Sequence, residues 1–169
     1  SVKHNFIYIL FALLMLGSCS RKKDKFLNKK FHSTTTKYNY LFNGNNLFTQ
    51  GIDQANTDLT ENFWGLIPIE KFDLKKINEQ EQSIFSDAEE KATLAIQKHS
   101  MSIMGEERNP IMDEAYLLLG KSRYYDGRYI PSLEAFNYIL YKYPKSDLIN
   151  EVKIWKEKIN IKLNQNEFA

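Results

Sequence analysis

The sequence predicts an all-α fold built of antiparallel helical hairpins, and three observations carry that expectation. From residue 33 onward, apolar residues recur in several stretches at spacings of three and four, the period of one helix face. Between Asp113 and Pro144 two such segments flank a short Gly-bearing turn. The chain holds 10 Tyr and 11 Phe against 7 Gly and 4 Pro, a balance that suits helices packed by aromatic side chains. With 43% hydrophobic and 26% charged residues and a net charge of +2 over 169 residues, the composition is that of an ordinary globular domain. It implies neither a nucleic-acid partner nor an acidic substrate.

The stretch DEAYLLLGKSRYYDGRYIPSLEAFNYILYKYP, residues 113–144, has the fullest internal grammar. Ala115, Leu118, Leu119 and Ser122 share one face of a first helix. Gly120 sits inside that helix, where it costs about 1 kcal/mol relative to Ala, so close approach of a second helix is expected there. Asp126-Gly127-Arg128 makes the turn. Tyr129, Leu133, Phe136, Leu140 and Tyr143 then form the face of a second helix, with Pro131 tolerated in its first turn and Pro144 ending it.

The order Tyr116, Leu119-Gly120, Gly127, Tyr129, Phe136, Pro144 resembles a tetratricopeptide repeat, a helix–turn–helix unit of about 34 residues. Two positions depart from that pattern: Arg123 stands where an aromatic is usual, and Ser132 where Ala is usual. In such repeats the first helix lines a concave groove that receives a partner's segment. The matching positions are Glu114, Leu117, Lys121, Tyr124 and Tyr125, with Lys121 and the tyrosines suited to a charge-assisted bond and aromatic contact. Packing of the same residues on adjacent repeats is the competing reading.

The N-terminus reads as a targeting segment. Lys3 gives a positive start, and Phe6 to Leu16 is an unbroken apolar run too short to span a hydrocarbon core of about 30 Å. Leu16-Gly17-Ser18-Cys19 follows and resembles the bacterial lipobox, with cleavage between Ser18 and Cys19 and lipidation of Cys19. A buried or incidental cysteine after a general secretory signal, or an uncleaved anchor, is the alternative. Cys19 is the single cysteine; once acylated, it leaves no thiol for a disulfide, for catalysis or for a metal. Residues 1–18 are therefore expected to be the signal peptide and 19–32 the lipidated Cys and a basic tether. Within it, Arg21, Lys22, Lys23, Lys25, Lys29 and Lys30 outnumber the single acid Asp24. Attraction to anionic head groups and a plain solvated stalk are both open for this run.

Residues 33–99 are expected to form a first, degenerate repeat. Tyr38, Leu41, Phe42, Asn45, Phe48, Ile52 and Ala55 make the stripe of its first helix, with Thr34 to Thr36 available as caps. A connection over 60–82 interrupts it, and Trp64 is expected to pack into the core, a peptide-binding aromatic cluster being the alternative. Ser86-Asp87-Ala88-Glu89 has the form of a capping box, opening a helix to about His99 in which Ala88, Ala92, Ala95 and Ile96 pack. Residues 100–109 read as a loop, and Asn109-Pro110 as the start of the next helix. Further on, Ser146 is expected to cap a helix with Leu148, Val152, Trp155 and Ile159 on one face. Leu119 and Trp155 lie 36 residues apart, so 146–169 reads as the start of a further, truncated repeat, with a turn at Asn164 to Asn166. A fragment of a longer protein is the expectation, since helical repeats bury their faces against neighbours.

The sequence carries no recognisable signature of catalysis. His4, His32 and His99 show no metal-ligand spacing, no nucleophile elbow or phosphate-binding Gly pattern occurs, and Glu89-Glu90 and Glu106-Glu107 read as solvated charges. The expectation is no enzyme, no metal and no cofactor beyond the covalent lipid. Taken together, the lipobox, SRKKDKFLNKKFHSTTTKYNYLFNGN, AEEKATLAIQKHS and the hairpin resemble the N-terminal region of the SprE/PorW lipoproteins of Bacteroidetes. That resemblance implies a tetratricopeptide outer-membrane lipoprotein, periplasm-facing, that acts as a scaffold of type IX secretion and gliding motility. Its partners would be other protein subunits, with no nucleic acid and no small-molecule substrate. A repeat lipoprotein of outer-membrane protein assembly or of carbohydrate uptake is the alternative.

Overall fold

The structure, a computed structural model, describes residues 20–57, 64 and 79–167. In chain order the elements are α1 (Phe26–Thr35), a π-helical turn (Thr36–Leu41), α2 (Phe42–Thr57), α3 (Glu79–His99), β1 (Ser102–Ile103), β2 (Glu106–Glu107), α4 (Met112–Tyr125), α5 (Tyr129–Lys142) and α6 (Ile149–Glu167). Apart from one minimal β-hairpin the described residues are helix and turn, as an all-α fold requires. Successive helices pack in chain order, α2 on α3, α3 on α4, α4 on α5 and α5 on α6, and α4 also touches α2 and α6. None of the described helices is long and apolar enough to cross a membrane.

α1, the π turn and α2 form one continuous helical rod. Its buried positions are Asn28, His32, Thr36, Leu41, Gly44, Phe48, Gly51 and Ala55. All but one of the steps are three or four residues. The exception, Thr36 to Leu41, is five, which in a regular α-helix would rotate Leu41 by about 140° away from Thr36. The π turn absorbs the extra residue and keeps both on the inner side. The rod begins at Phe26, not at Ser33, so the second half of the expected tether is helical and Thr34 to Thr36 cap nothing. The reason is that this part of the buried face is polar. Asn28 donates to the carbonyls of Ser20 at 2.9 Å and Lys23 at 3.1 Å, and Thr36 Oγ1 donates to the His32 carbonyl at 2.7 Å. Conversely, Tyr38 and Phe42, expected on the inner stripe, are 62% and 59% exposed, and Asn45 is exposed too.

α3 buries Glu81, Phe85, Ala88, Ala92, Ala95 and His99 on one face. It starts at Glu79, so Ser86 to Glu89 lie within it and form no capping box. Trp64 is fully exposed rather than in the core; the rest of the connection up to residue 78 lies outside the described residues. The segment after α3, expected as a loop, contains a tight hairpin that pairs Ser102 with Glu107 and Ile103 with Glu106. Its two-residue turn, Met104 at φ 53° and Gly105 at φ 80°, has the positive angles that match the twist of paired strands. The Glu107 carboxylate holds the segment together, accepting from Ser100 Oγ at 2.6 Å and from the amides of Met101 at 2.7 Å and Asn109 at 2.8 Å.

α4 is the central helix. Toward α2 and α3 it presents Ala115, Leu118 and Leu119, packed with Leu41, Phe48, Phe85, Ala88, Ala92 and Ala95. Toward α5 and α6 it presents Leu117 and Tyr124, packed with Phe136, Ile139, Val152, Trp155 and Ile159. Helices come into close contact where a side chain is missing. A Cβ on Gly120 would lie 2.5 Å from the Phe136 ring, one on Gly44 2.6 Å from Leu118, and one on Gly51 2.8 Å from the Phe85 ring. The expected turn between α4 and α5 is present, with Gly127 at φ 76°. Before α6, Ser146 Oγ accepts from the Leu148 amide at 3.1 Å and donates to Asp113 at 2.6 Å, tying the helix start to α4. α6 buries Val152, Trp155 and Ile159. Its backbone runs helically to Glu167, through the turn expected at Asn164 to Asn166, since three polar residues with no Pro or Gly do not stop a helix.

Replacing Gly120 by Ala improves helix propensity yet drives a methyl into the fully buried Phe136 ring. The expected net effect is a loss of about 1–2 kcal/mol, read as a lower urea midpoint at unchanged slope. A midpoint equal to or above that of the parent would show that α4 and α5 do not meet this closely.

Candidate functional site

The sequence-predicted groove positions all lie on α4, but they do not share one environment. Leu117 is 9% and Tyr124 3% exposed, both packed toward α6. Their assignment to a groove open to a partner is corrected: a neighbouring helix covers them, the competing outcome for a helix with neighbours on both sides. Glu114 is exposed, while Lys121 and Tyr125 are partly exposed.

Lys121 sits between three helices. Its ammonium is 5.1 Å from the Phe48 ring centroid of α2, 5.6 Å from the Trp155 centroid of α6, and 3.5 Å from Glu151 of α6. Aromatic rings continue on either side. Tyr125 stacks on Phe85 at 5.3 Å and meets Phe48 edge-on at 5.4 Å. Trp155 contacts Tyr124 at 5.3 Å and Tyr125 at 6.0 Å, and Lys158 lies 4.4 Å over its ring. Trp155 Nε1 donates to Glu151 at 3.3 Å. This side of α2, α4 and α6 therefore offers a partly exposed cation and carboxylate over an aromatic floor. Such a surface can hold an extended or helical peptide by charge-assisted hydrogen bonds and by contact with Tyr125, while Phe48, Phe85 and Trp155 are buried beneath it. Phe48, Glu151, Trp155 and Lys158 were not anticipated as members, because they come from helices tens of residues away.

On the opposite side, Arg123 and Ser132, the two departures from the repeat pattern, are polar ties. Arg123 Nε donates to Glu89 of α3 at 2.8 Å, and its Nη1 to the Pro131 carbonyl at 3.1 Å. Arg128 also binds Glu89, and it binds Asp126. Burial works against the charged Glu89, but the hydrogen bonds and charges of Arg128 and Arg123 outweigh it and hold the carboxyl below its ordinary value. Glu89 is thus a structural anion and not a solvated charge. Ser132 Oγ donates to the Gly120 carbonyl at 2.6 Å, beside the contact of Gly120 with Phe136.

The structure also joins two histidines the sequence kept apart. His32 of α1 and His99 of α3 are buried, with their Nδ1 atoms 2.9 Å apart. At that distance one Nδ1 donates and the other accepts, so the pair cannot hold a proton on both. Asn109 completes the junction, donating to Thr36 Oγ1 at 3.1 Å and to the His99 carbonyl at 3.0 Å while accepting from the Ile111 amide at 3.2 Å. Among the described residues no group of three or more His, Cys, Asp or Glu side chains is placed to hold a metal ion. Ser18 and Cys19, the expected cleavage and lipidation positions, lie outside the described residues, as does His4.

Burial, followed by the positive charge of His32, Arg21 and Lys98, lowers the pKa of His99 from 6.5 to about 4. The folded chain therefore resists a proton that the unfolded chain accepts. The stability present above pH 6.5 is lost progressively as pH falls toward 4, by roughly 2–3 kcal/mol. Urea midpoints compared at pH 7.5 and 4.5 are expected to show that loss, and a His99→Gln variant to lack most of it. An equal loss in the variant would assign the pH dependence to other groups.

Neither a family model nor a curated protein matches this sequence.

Proposed function

We propose that the chain is a lipid-anchored scaffold of the bacterial envelope whose helical hairpins dock other protein subunits. Cys19 holds it to the outer membrane on the periplasmic side, and the resemblance to tetratricopeptide and SprE/PorW lipoproteins gives the machinery as type IX secretion and gliding motility. This reading assigns the chain no reaction. The observation that carries it is the shared side of α2, α4 and α6, where Lys121 stands between Phe48 and Trp155 beside Glu151. A side built from the first helices of successive hairpins is where a repeat protein receives its partners.

Two variants test the two halves of the proposal in the cell. Cys19→Ala is expected to leave the chain extractable from the outer-membrane fraction by a salt wash and to abolish secretion. Retention in the washed membranes would sink the anchor.

Lys121→Gln removes the central charge without overpacking the face. It is expected to weaken capture of secretion-machinery subunits roughly tenfold, as loss of one charge-assisted contact does, with helical content unchanged by circular dichroism. Undiminished capture would remove this face from the interface. Capture of β-barrel assembly components or sugar-uptake porins instead would favour the alternative lipoprotein classes.

A further inference from the structure

α1 has two unlike sides. Asn28 and His32 face inward, whereas Phe26, Leu27 and Phe31 are 78%, 74% and 48% exposed. A single exposed apolar side chain needs no explanation, but three within six residues form a patch. Cations flank it in the chain: Lys22, Lys23, Lys25 and Lys30 are exposed. The one acid between Ser20 and Thr35, Asp24, is engaged by Lys29 at 2.8 Å and Arg108 at 3.5 Å, so it does not offset those four.

Exposed apolar side chains interspersed with and preceded by lysines fit the boundary of an anionic bilayer. Aromatic and aliphatic side chains enter the acyl region, the ammonium groups stay among the phosphates, and the lysine stems cover the apolar margin. Position argues for lipid over a protein occupant. Phe26 follows Cys19 by seven residues, so the patch is never more than about 25 Å of chain from the attachment point. We propose that the outward side of α1, formed by Phe26, Leu27 and Phe31 together with the exposed Lys22, Lys23, Lys25 and Lys30, is a second membrane contact that seats the helical array on an anionic lipid surface. The proposal rests on the anchored reading for its nearness to lipid, but the patch itself does not depend on it. Because the inner side of α1 is joined to α3 through His32 and His99, seating α1 also fixes how the array is oriented above the membrane.

The test uses the processed chain isolated from membranes and reconstituted into vesicles with brominated acyl chains, either phosphatidylcholine alone or mixed with phosphatidylglycerol. Leu27→Trp reports the patch, with Trp64→Phe in both variant and parent to lower the background. The introduced indole is expected to be quenched and shifted to shorter wavelength on the anionic vesicles, and to remain wet on the neutral ones. Raised salt should reverse the effect, and each Lys→Gln change among the four should reduce the seated population roughly fivefold. An indole that stays unquenched while the chain sediments with anionic vesicles overturns the proposal. So does a blue shift that appears without lipid and grows with protein concentration, which would make a second copy of the chain the occupant. Sedimentation unaltered by Cys19→Ala, with quenching intact, would remove the anchor reading and leave this contact standing.

Discussion

The arrangement depends on how closely its helices approach, and three glycines set that distance. Gly44, Gly51 and Gly120 each leave the space of one methyl group, filled by Leu118, Phe85 and the Phe136 ring respectively. Ala88, Ala92, Ala95 and Ala115 continue the same logic at neighbouring contacts. Small residues on one helix let a large side chain of the next lie flat, so dispersion contacts are made over a wide area instead of at one protruding knob. Everything on the outer faces takes its position from this spacing. Were α2 and α6 a few ångströms further from α4, Lys121 would not reach the rings of both Phe48 and Trp155.

Between these contacts, polar ties fix which helix meets which. Glu89 receives Arg123 and Arg128, Ser132 reaches the Gly120 carbonyl, and Ser146 bridges to Asp113. Each joins different helices or the two arms of a hairpin. A half-buried ion pair adds little net stability once desolvation is counted, but losing one partner strands the other charge. The ties therefore act more on registration than on cohesion. Arg123 links three elements, and Ser132 adds a hydrogen bond between α5 and α4 at Gly120.

The N-terminal end is organised differently. There the rod buries Asn28, His32 and Thr36, and its partners are His99 and Asn109 rather than aliphatic side chains. A polar interior of this kind makes the junction specific in geometry and sensitive to protonation. It also leaves the apolar residues of α1 on the outside, the reverse of an ordinary amphipathic helix in a soluble core. The π turn lets these two regimes share one rod, because it keeps the polar inner stripe of α1 and the Gly–Phe stripe of α2 on the same side.

Some of this was written in the sequence alone. The hairpin from Asp113 to Pro144, the close approach at Gly120, the turn at Gly127 and the inner face of α6 follow from local rules of periodicity and punctuation, which act within a few residues. The end of α3 at His99 and its alanine face follow in the same way. Other features were decided only by tertiary structure, because their partners are distant in the chain. His32 and Asn28 look like tether residues until the fold supplies His99 and the Ser20 carbonyl. Leu117 and Tyr124 have groove spacing, yet α6 covers them. Ser86 to Glu89 has the form of a cap, but packing on the rod extends the helix beyond it, and burial then gives Glu89 to two arginines. The shared face around Lys121 was half legible: α4 carries the cation and Tyr125, while the rings and the carboxylate that define its chemistry come from α2 and α6. Periodicity shows which side of a helix is apolar; which neighbour covers that side, and which polar groups are drawn in with it, is settled when the helices meet.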